Sequence, residues 1–296
     1  MSAVLPHALL ALTAGGRRAE WRPAASPGLV LLDVDGTLMG PEGLVAPKVV
    51  AAVRAVVDAG VPVGFATGRN VAGVAGAYDQ LRIDGPHIVL NGAQVRRGGV
   101  PVATWPLTAA QRQAVLDLCA RRGLYAELYT DDGFLVTDLD PRFRPHWDQV
   151  IGQPLGTVAA HPSKAEQTIK ATIVALDDAV AAEVVATITA MGLTAGAATS
   201  PLTPSMTYVN ITNPDVNKGT AVAAAAASLD LGTDAVVVVG DGANDLPMLA
   251  VAGTAIAMGD ADPIVHAAAH HVVPGVEQDG AAVALTAVLQ WLGVRV

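Results

Sequence analysis

Three short runs of branched apolar residues stop abruptly on polar ones: GLVLLDVDGT from Gly28, VPVGFATGR from Val61 and AVVVVGDGAND from Ala235. Unalternated runs of this length, bounded by glycine, are the pattern of strands buried on both faces of a parallel sheet. HIVLNG at 87–92 and TAIAMG at 254–259 repeat it. Between the runs the period changes to that of a helix. Over 47–59 the residues Val49, Val50, Val53, Val56 and Val57 make one apolar stripe. Pro47 suits its first turn and Gly60 its C-terminal cap. Further helices are predicted over 218–229, 244–251, 262–269 and 279–292. Strands and helices alternating in this way predict an α/β fold, a doubly wound and mostly parallel sheet.

The middle of the chain has a different rhythm. It predicts a helix over 108–122, a hairpin in LYAELYTDDGFLVTD turning at Asp131-Asp132-Gly133, a strand in TIKATIVAL, a helix over 177–191 and a strand in MTYVNI. Hairpins mixed with helices indicate an inserted α+β module. The expected organisation is a sheet core from 28–92 and 213–296, an inserted cap over 93–212, and a poorly ordered extension over 1–27.

Composition narrows the class. Of 296 residues, 52% are hydrophobic and 15% charged, too apolar for a disordered chain. A formal charge of −9 and scattered basic pairs such as Arg121-Arg122 argue against a nucleic-acid footprint. The single cysteine, Cys119, has no internal partner and sits on the inner face of the 108–122 helix, which fits a reducing cytoplasm. No uncharged apolar run reaches the roughly 18–20 residues needed to span a bilayer, so no membrane partner is expected. The first residues carry a short apolar stretch without a preceding Lys or Arg, a weak match to a secretory signal.

Side chains just beyond the carboxyl ends of strands in an open parallel sheet meet in one crevice. That rule gathers Asp33 and Asp35, Thr67, Lys218, and Asp241 with Asn244 and Asp245. Two carboxylates two residues apart at the end of an apolar strand are costly unless neutralised. A divalent cation with hard oxygen ligands, Mg2+, does so. With Asp33 and Asp241 supplying oxygens, Lys218 and the Thr67 hydroxyl would complete an electrostatic clamp on a phosphoryl group.

DVDGTL at 33–38, TGR at 67–69, NKG at 217–219 and GDGAND at 240–245 resemble, in order, the four motifs of the haloacid dehalogenase superfamily. The inserted module, NGA at 91–93 and the run YVNITNPDVNKGTAV resemble its Cof-type phosphatases, whose large C2-type cap lies between the second and third motifs. The resemblance runs from Gly28 to the C-terminus, and in the cap it is architectural only. It implies Asp33 as nucleophile and Asp35 as the acid that protonates the leaving alcohol and then the base that activates water. It implies a Mg2+ site built from Asp33, the Asp35 backbone carbonyl, Asp241 and Asp245. Thr67 and Lys218 become phosphate ligands, supported by Gly68, Asn91 and Asn244. The implied substrate is a small phosphorylated metabolite such as a sugar phosphate, and the oligomeric state stays open.

Other readings compete with this one. Asp-x-Asp at a strand end is by itself more often a turn, and a lone lysine such as Lys218 is usually exposed. GDGAND is similar to a dinucleotide fingerprint, but Asp245 occupies a position that needs a small residue and Asp241 would repel a pyrophosphate. A catalytically dead binding protein would lack a nucleophile or metal ligand, and none is missing. A phosphomutase or phosphotransferase of the same fold is compatible with the motifs. His270-His271 points to opposite faces of a strand and is read as structural. Tyr125, Tyr129 and Trp147 are read as packing the cap.

Overall fold

The computed structural model describes residues 7–40, 42–200 and 203–295. Along the chain the strands are β1 (Thr13–Ala14), β2 (Leu29–Leu32), β3 (Val63–Phe65), β4 (His87–Val89), β5 (Gln94–Arg97), β6 (Val100–Thr104), β7 (Tyr125–Thr130), β8 (Gly133–Val136), β9 (Lys170–Ala175), β10 (Thr194–Thr199), β11 (Thr207–Thr212), β12 (Val236–Gly240), β13 (Thr254–Ala257) and β14 (His271–Val272). The chain divides into two compact units. One comprises residues up to 67, 75–103 and 217 onward; the other comprises 68–74 and 104–216.

The first unit holds a six-stranded sheet in the order β1-β14-β13-β12-β2-β3. From β14 to β3 every pair is parallel, and β1 closes the edge antiparallel to β14. Leu29, Val30, Leu31 and Leu32 of β2 are all buried, which is why they read as an unbroken apolar run. Helices Pro47–Asp58 and Gly280–Trp291 pack on each other, as do Lys218–Ala227 and Leu246–Val251. The register aligns the strand ends: Leu32 lies level with both Phe65 and Val239, so the chain leaves β2, β3 and β12 at the same height.

The second unit is an antiparallel sheet in the order β10-β11-β9-β7-β8. Ala126, Leu128, Ala171, Ile173, Val209 and Ile211 pack with Val115, Leu118 and Cys119 of the Ala109–Arg122 helix and with Val184 and Ile188 of Asp178–Ala190. Alternation sends Tyr125, Glu127, Tyr129, Lys170 and Thr172 to the opposite face. Thr130 pairs with Gly133, so Asp131-Asp132 is a two-residue turn.

Two expectations need correction. Residues 7–26 are not a loose extension. Leu9 and Trp21 are buried, β1 pairs with β14, and Arg17 Nη1 donates to the Leu249 carbonyl at 2.8 Å. The stretch 93–103 clusters with the first unit, because β5 pairs with β4 in a three-stranded sheet β4-β5-β6. His270 and His271 both serve packing: His270 Nδ1 accepts from Ala255 N at 3.0 Å, and His271 lies edge-on to Trp21 at 4.4 Å. Among the described residues no helix is long and apolar enough to cross a membrane.

Candidate active site

Asp33 follows β2 directly, its backbone N–H donating to Val239 O at 2.9 Å. The chain then folds into a tight turn in which Leu38 and Met39 N–H both donate to Val34 O. Gly36 is needed there for two reasons. Its φ is +82°, and a Cβ at that position would stand 2.2 Å from Asp241 Oδ2. Thr37 is buried and donates its hydroxyl to Asp241 Oδ1 at 2.8 Å, which ties the β2 turn to the β12 turn. Asp35 is exposed on the same turn.

Lys218 begins its helix under an N-cap: Asn217 Oδ1 accepts from the N–H groups of Gly219 and Thr220 at 2.8 and 3.0 Å. The side chain is 1% exposed, and its ammonium donates to Asp33 Oδ1 at 2.7 Å and Asp245 Oδ1 at 2.5 Å. Asp245 has a second task. Its Oδ2 accepts from the N–H groups of Asp241 and Gly242, both at 3.0 Å, and so holds the GDGAND loop closed. A Cβ on Gly240 would come within 2.5 Å of that oxygen.

Thr67 is buried at the end of β3, with its N–H on Ile88 O at 2.9 Å and its carbonyl taking Asn91 N–H at 3.0 Å. Asn91 has φ +58°, and its side-chain oxygen accepts from Asn244 Nδ2 at 3.4 Å. Gly92 packs against the Asn217 carbonyl, so the 90–92 turn abuts the start of the Lys218 helix. Gly68 clusters elsewhere, in the second unit, where its carbonyl accepts from Lys170 Nζ at 3.0 Å. Sequence reasoning did not assign Thr37, Asn217 or Gly240. Asn217 followed three residues later by Thr220 was the readable signal, a helix N-cap.

The electrostatics are lopsided. Burial raises the Asp33 carboxyl, Lys218 pulls it down, and Asp245, Asp241 and Asp35 push it up again; it ends well above the usual carboxylate range. Asp241 is raised to about 6, by burial first and Asp245 second, against Thr37 and Lys218. Lys218 loses by burial and gains more from Asp245 and Asp33, so its ammonium is held firmly. Asp33 and Asp245 share the Lys218 ammonium, and Asp241 adds a further carboxylate beside them. Oxygens of Asp33, Asp241 and Asp245 lie within 4.8 Å of one another, a donor set that can hold a metal ion.

The sequence profile of the haloacid dehalogenase-like hydrolases matches residues 30–285. The chain is similar to the 5-amino-6-(5-phospho-D-ribitylamino)uracil phosphatase YcsE of Bacillus subtilis, at 24% identity over 87% of this chain and 94% of that one. A shorter match, 32% identical, to YwtE of the same organism, of the same description, spans 36% of this chain and 37% of that protein. In structure it is similar to the phosphatase BT1666 of Bacteroides thetaiotaomicron, with a TM-score of 0.75, 24% identity, and coverage of 93% and 98% of the two chains.

Proposed function

The chain belongs to the haloacid dehalogenase-like hydrolase family, and on that premise we propose that it is a Mg2+-dependent phosphatase of small phosphorylated metabolites, acting through an aspartyl-phosphate on Asp33. One observation carries the reading: a buried lysine joins Asp33 and Asp245 at 2.7 and 2.5 Å, beside a third carboxylate whose oxygen lies within 4.8 Å of theirs. A positive charge beside a strand-end carboxylate suits a phosphoryl group better than an alcohol or an amide.

Asp33 Oδ1 is oriented by Lys218, with Oδ2 as the oxygen that attacks phosphorus. The Lys218 ammonium, held charged by Asp245, then faces the phosphoryl oxygens as the new bond forms. Thr67 and the Asn91–Asn244 pair supply further polar contacts around the same strand ends. Asp35 protonates the departing alcohol and, once that has left, takes a proton from the water that cleaves the acyl phosphate. Asp33, Asp241 and the Asp35 carbonyl would hold Mg2+, which when bound screens the repulsion between carboxylate and phosphate dianion. Asp245, whose oxygens also hold the loop and Lys218, completes that carboxylate set. The YcsE relative is named for a phosphoribityl compound, which supports a sugar- or polyol-type phosphate as substrate.

The test is phosphate release from a panel of phosphomonoesters with Mg2+. Turnover should stop on EDTA treatment, return with Mg2+, and be absent in Asp33→Asn. An active, folded Asp33→Asn protein would refute the nucleophile.

A further inference from the structure

Thr37 lies within the turn after β2 and has no part in the proposed chemistry. It is 1% exposed, and its hydroxyl donates to Asp241 Oδ1 at 2.8 Å. The turn leaves that donor little room to move. Leu38 and Met39 N–H both bond Val34 O, Gly36 N–H bonds Met39 O at 2.9 Å, and Val34 and Leu38 are buried. A threonine side chain is also stiff about its first torsion. On the other flank of the same carboxylate, Oδ2 stands against Gly36, close enough that a Cβ there would meet it at 2.2 Å. The Asp241 carboxylate is therefore held from two sides by one turn, and the hydroxyl is the half that can be removed without altering the backbone.

The neighbouring carboxylates are occupied in the same manner. Asp33 Oδ1 takes the Lys218 ammonium at 2.7 Å; Asp245 Oδ1 takes it at 2.5 Å, and Asp245 Oδ2 takes two backbone N–H groups at 3.0 Å. Each of the three thus has an oxygen committed to a donor, which disfavours gripping an ion with both oxygens at once. Ca2+ gathers about six to eight oxygens at about 2.3–2.6 Å in a flexible shell and readily takes both oxygens of a carboxylate. Mg2+ demands a stiff octahedron at about 2.0–2.1 Å. Of the donors that make this distinction, Lys218 is already assigned to the phosphoryl group and the loop N–H groups belong to the backbone. The Thr37 hydroxyl is the one that can be deleted while those stay in place.

We propose that Thr37 is a positioning residue for the metal site: by holding Asp241 Oδ1 it presents this carboxylate through a single fixed oxygen, and so favours Mg2+ over Ca2+. The inference rests on the Mg2+ part of the reading above, and on residues of the first unit alone. Without the hydroxyl, Asp241 regains its side-chain rotation between neighbours of like charge, and both its oxygens open to a larger ion.

The experiment is titration calorimetry of the full chain with Mg2+ and, separately, with Ca2+, in the absence of substrate, beside thermal melting in EDTA. Thr37→Val should weaken Mg2+ binding by about 10- to 100-fold, the scale of a lost partner to a metal ligand, and Ca2+ binding by less than about threefold. The ratio of the two affinities then moves toward Ca2+ by about tenfold or more. Thr37→Ala, which deletes the hydroxyl without adding a methyl, should show the same shift. Thr37→Ser, which keeps the donor, should recover most of the wild-type ratio. Equal weakening of both ions, or no change in either, would overturn the proposal, since the hydroxyl would then only shape the turn. So would a failure of both Thr37→Val and Thr37→Ala to melt cooperatively in EDTA. Hydrolysis of p-nitrophenyl phosphate by the Mg2+-loaded wild type is measured alongside and decides the phosphatase reading separately. If the wild-type protein binds neither ion, the Mg2+ reading falls and the role of Thr37 falls with it.

Discussion

Replacing Asp33 by Asn removes the carboxylate proposed as the nucleophile, yet it should stabilise the cation-free protein. At an effective dielectric of about 20, unit charges 2.7 Å apart, as Lys218 and Asp33 are, attract by about 6 kcal/mol. Like charges at 4.8 Å, the upper limit on the spacing of oxygens of the three carboxylates, repel by about 3.5 kcal/mol, and closer ones by more. Two such repulsions offset the attraction, and the burial penalty on Asp33 is left over. An amide escapes all of these, while Lys218 keeps Asp245. A gain of about 1–2 kcal/mol is expected in EDTA, which for a chain of this size is about 2–6 °C in melting temperature. The sign also fixes a pH dependence. A carboxyl raised on folding favours the folded state below its unfolded pKa and loses that contribution as pH rises through its folded value. The advantage of Asp33→Asn should therefore widen from about pH 4 toward neutrality. In excess Mg2+ the order should reverse, since wild type gains about 2.7 kcal/mol at a hundredfold excess over Kd and the variant, short of a ligand, gains less. Scanning calorimetry with EDTA and with Mg2+ decides it. A lower melting temperature for Asp33→Asn in EDTA, or equal Mg2+ gains in both proteins, would refute the reasoning.

Asp35→Asn should lower kcat by about 10²–10⁴, the range of general acid–base help, with a flattened pH–rate profile; a near-normal rate would remove it from the mechanism. Gly36→Ala places a methyl 2.2 Å from Asp241 Oδ2 on a backbone with φ +82°; it should weaken Mg2+ binding by about 10–100-fold in titration calorimetry, as displaced metal supports do. Burial raises the Cys119 thiol to about 12, so it should resist thiol reagents at pH 8 until the protein is unfolded. Trp21→Ala removes a buried ring that donates to Thr254 Oγ1 at 3.1 Å, and should cost about 3–5 kcal/mol in urea unfolding.

The parallel sheet was readable because its central strands are covered on both faces, so Leu29–Leu32 and Val236–Gly240 carry no alternation to confuse. The carboxylates stood out for the complementary reason: Asp33 and Asp241 interrupt those runs where the sheet ends. What local patterning does not carry is long-range pairing. Lys218 reads alone as a surface lysine, and only partners 185 and 27 residues away make it a buried charge at the centre of the site. Arg17 is ordered by a carbonyl 232 residues distant, which is why 7–26 gave no periodic signal of order. The start of the insert was misplaced because β5 reads as a strand without showing that it pairs back onto β4. Gly68 belongs by sequence to the Thr67 motif and by packing to the other unit, a division that no motif spacing encodes.

The strand at Thr13–Ala14 covers the outer hydrogen-bonding groups of His271–Val272. A version of the chain trimmed to begin at residue 28 would keep every catalytic motif and still bare that sheet margin, along with the cavity left by Trp21. Open margins of this kind recruit strands from other molecules. Such a trimmed protein is expected to aggregate at concentrations where the full chain stays dispersed, so the segment lacking any motif governs whether the motif-bearing part can be handled at all.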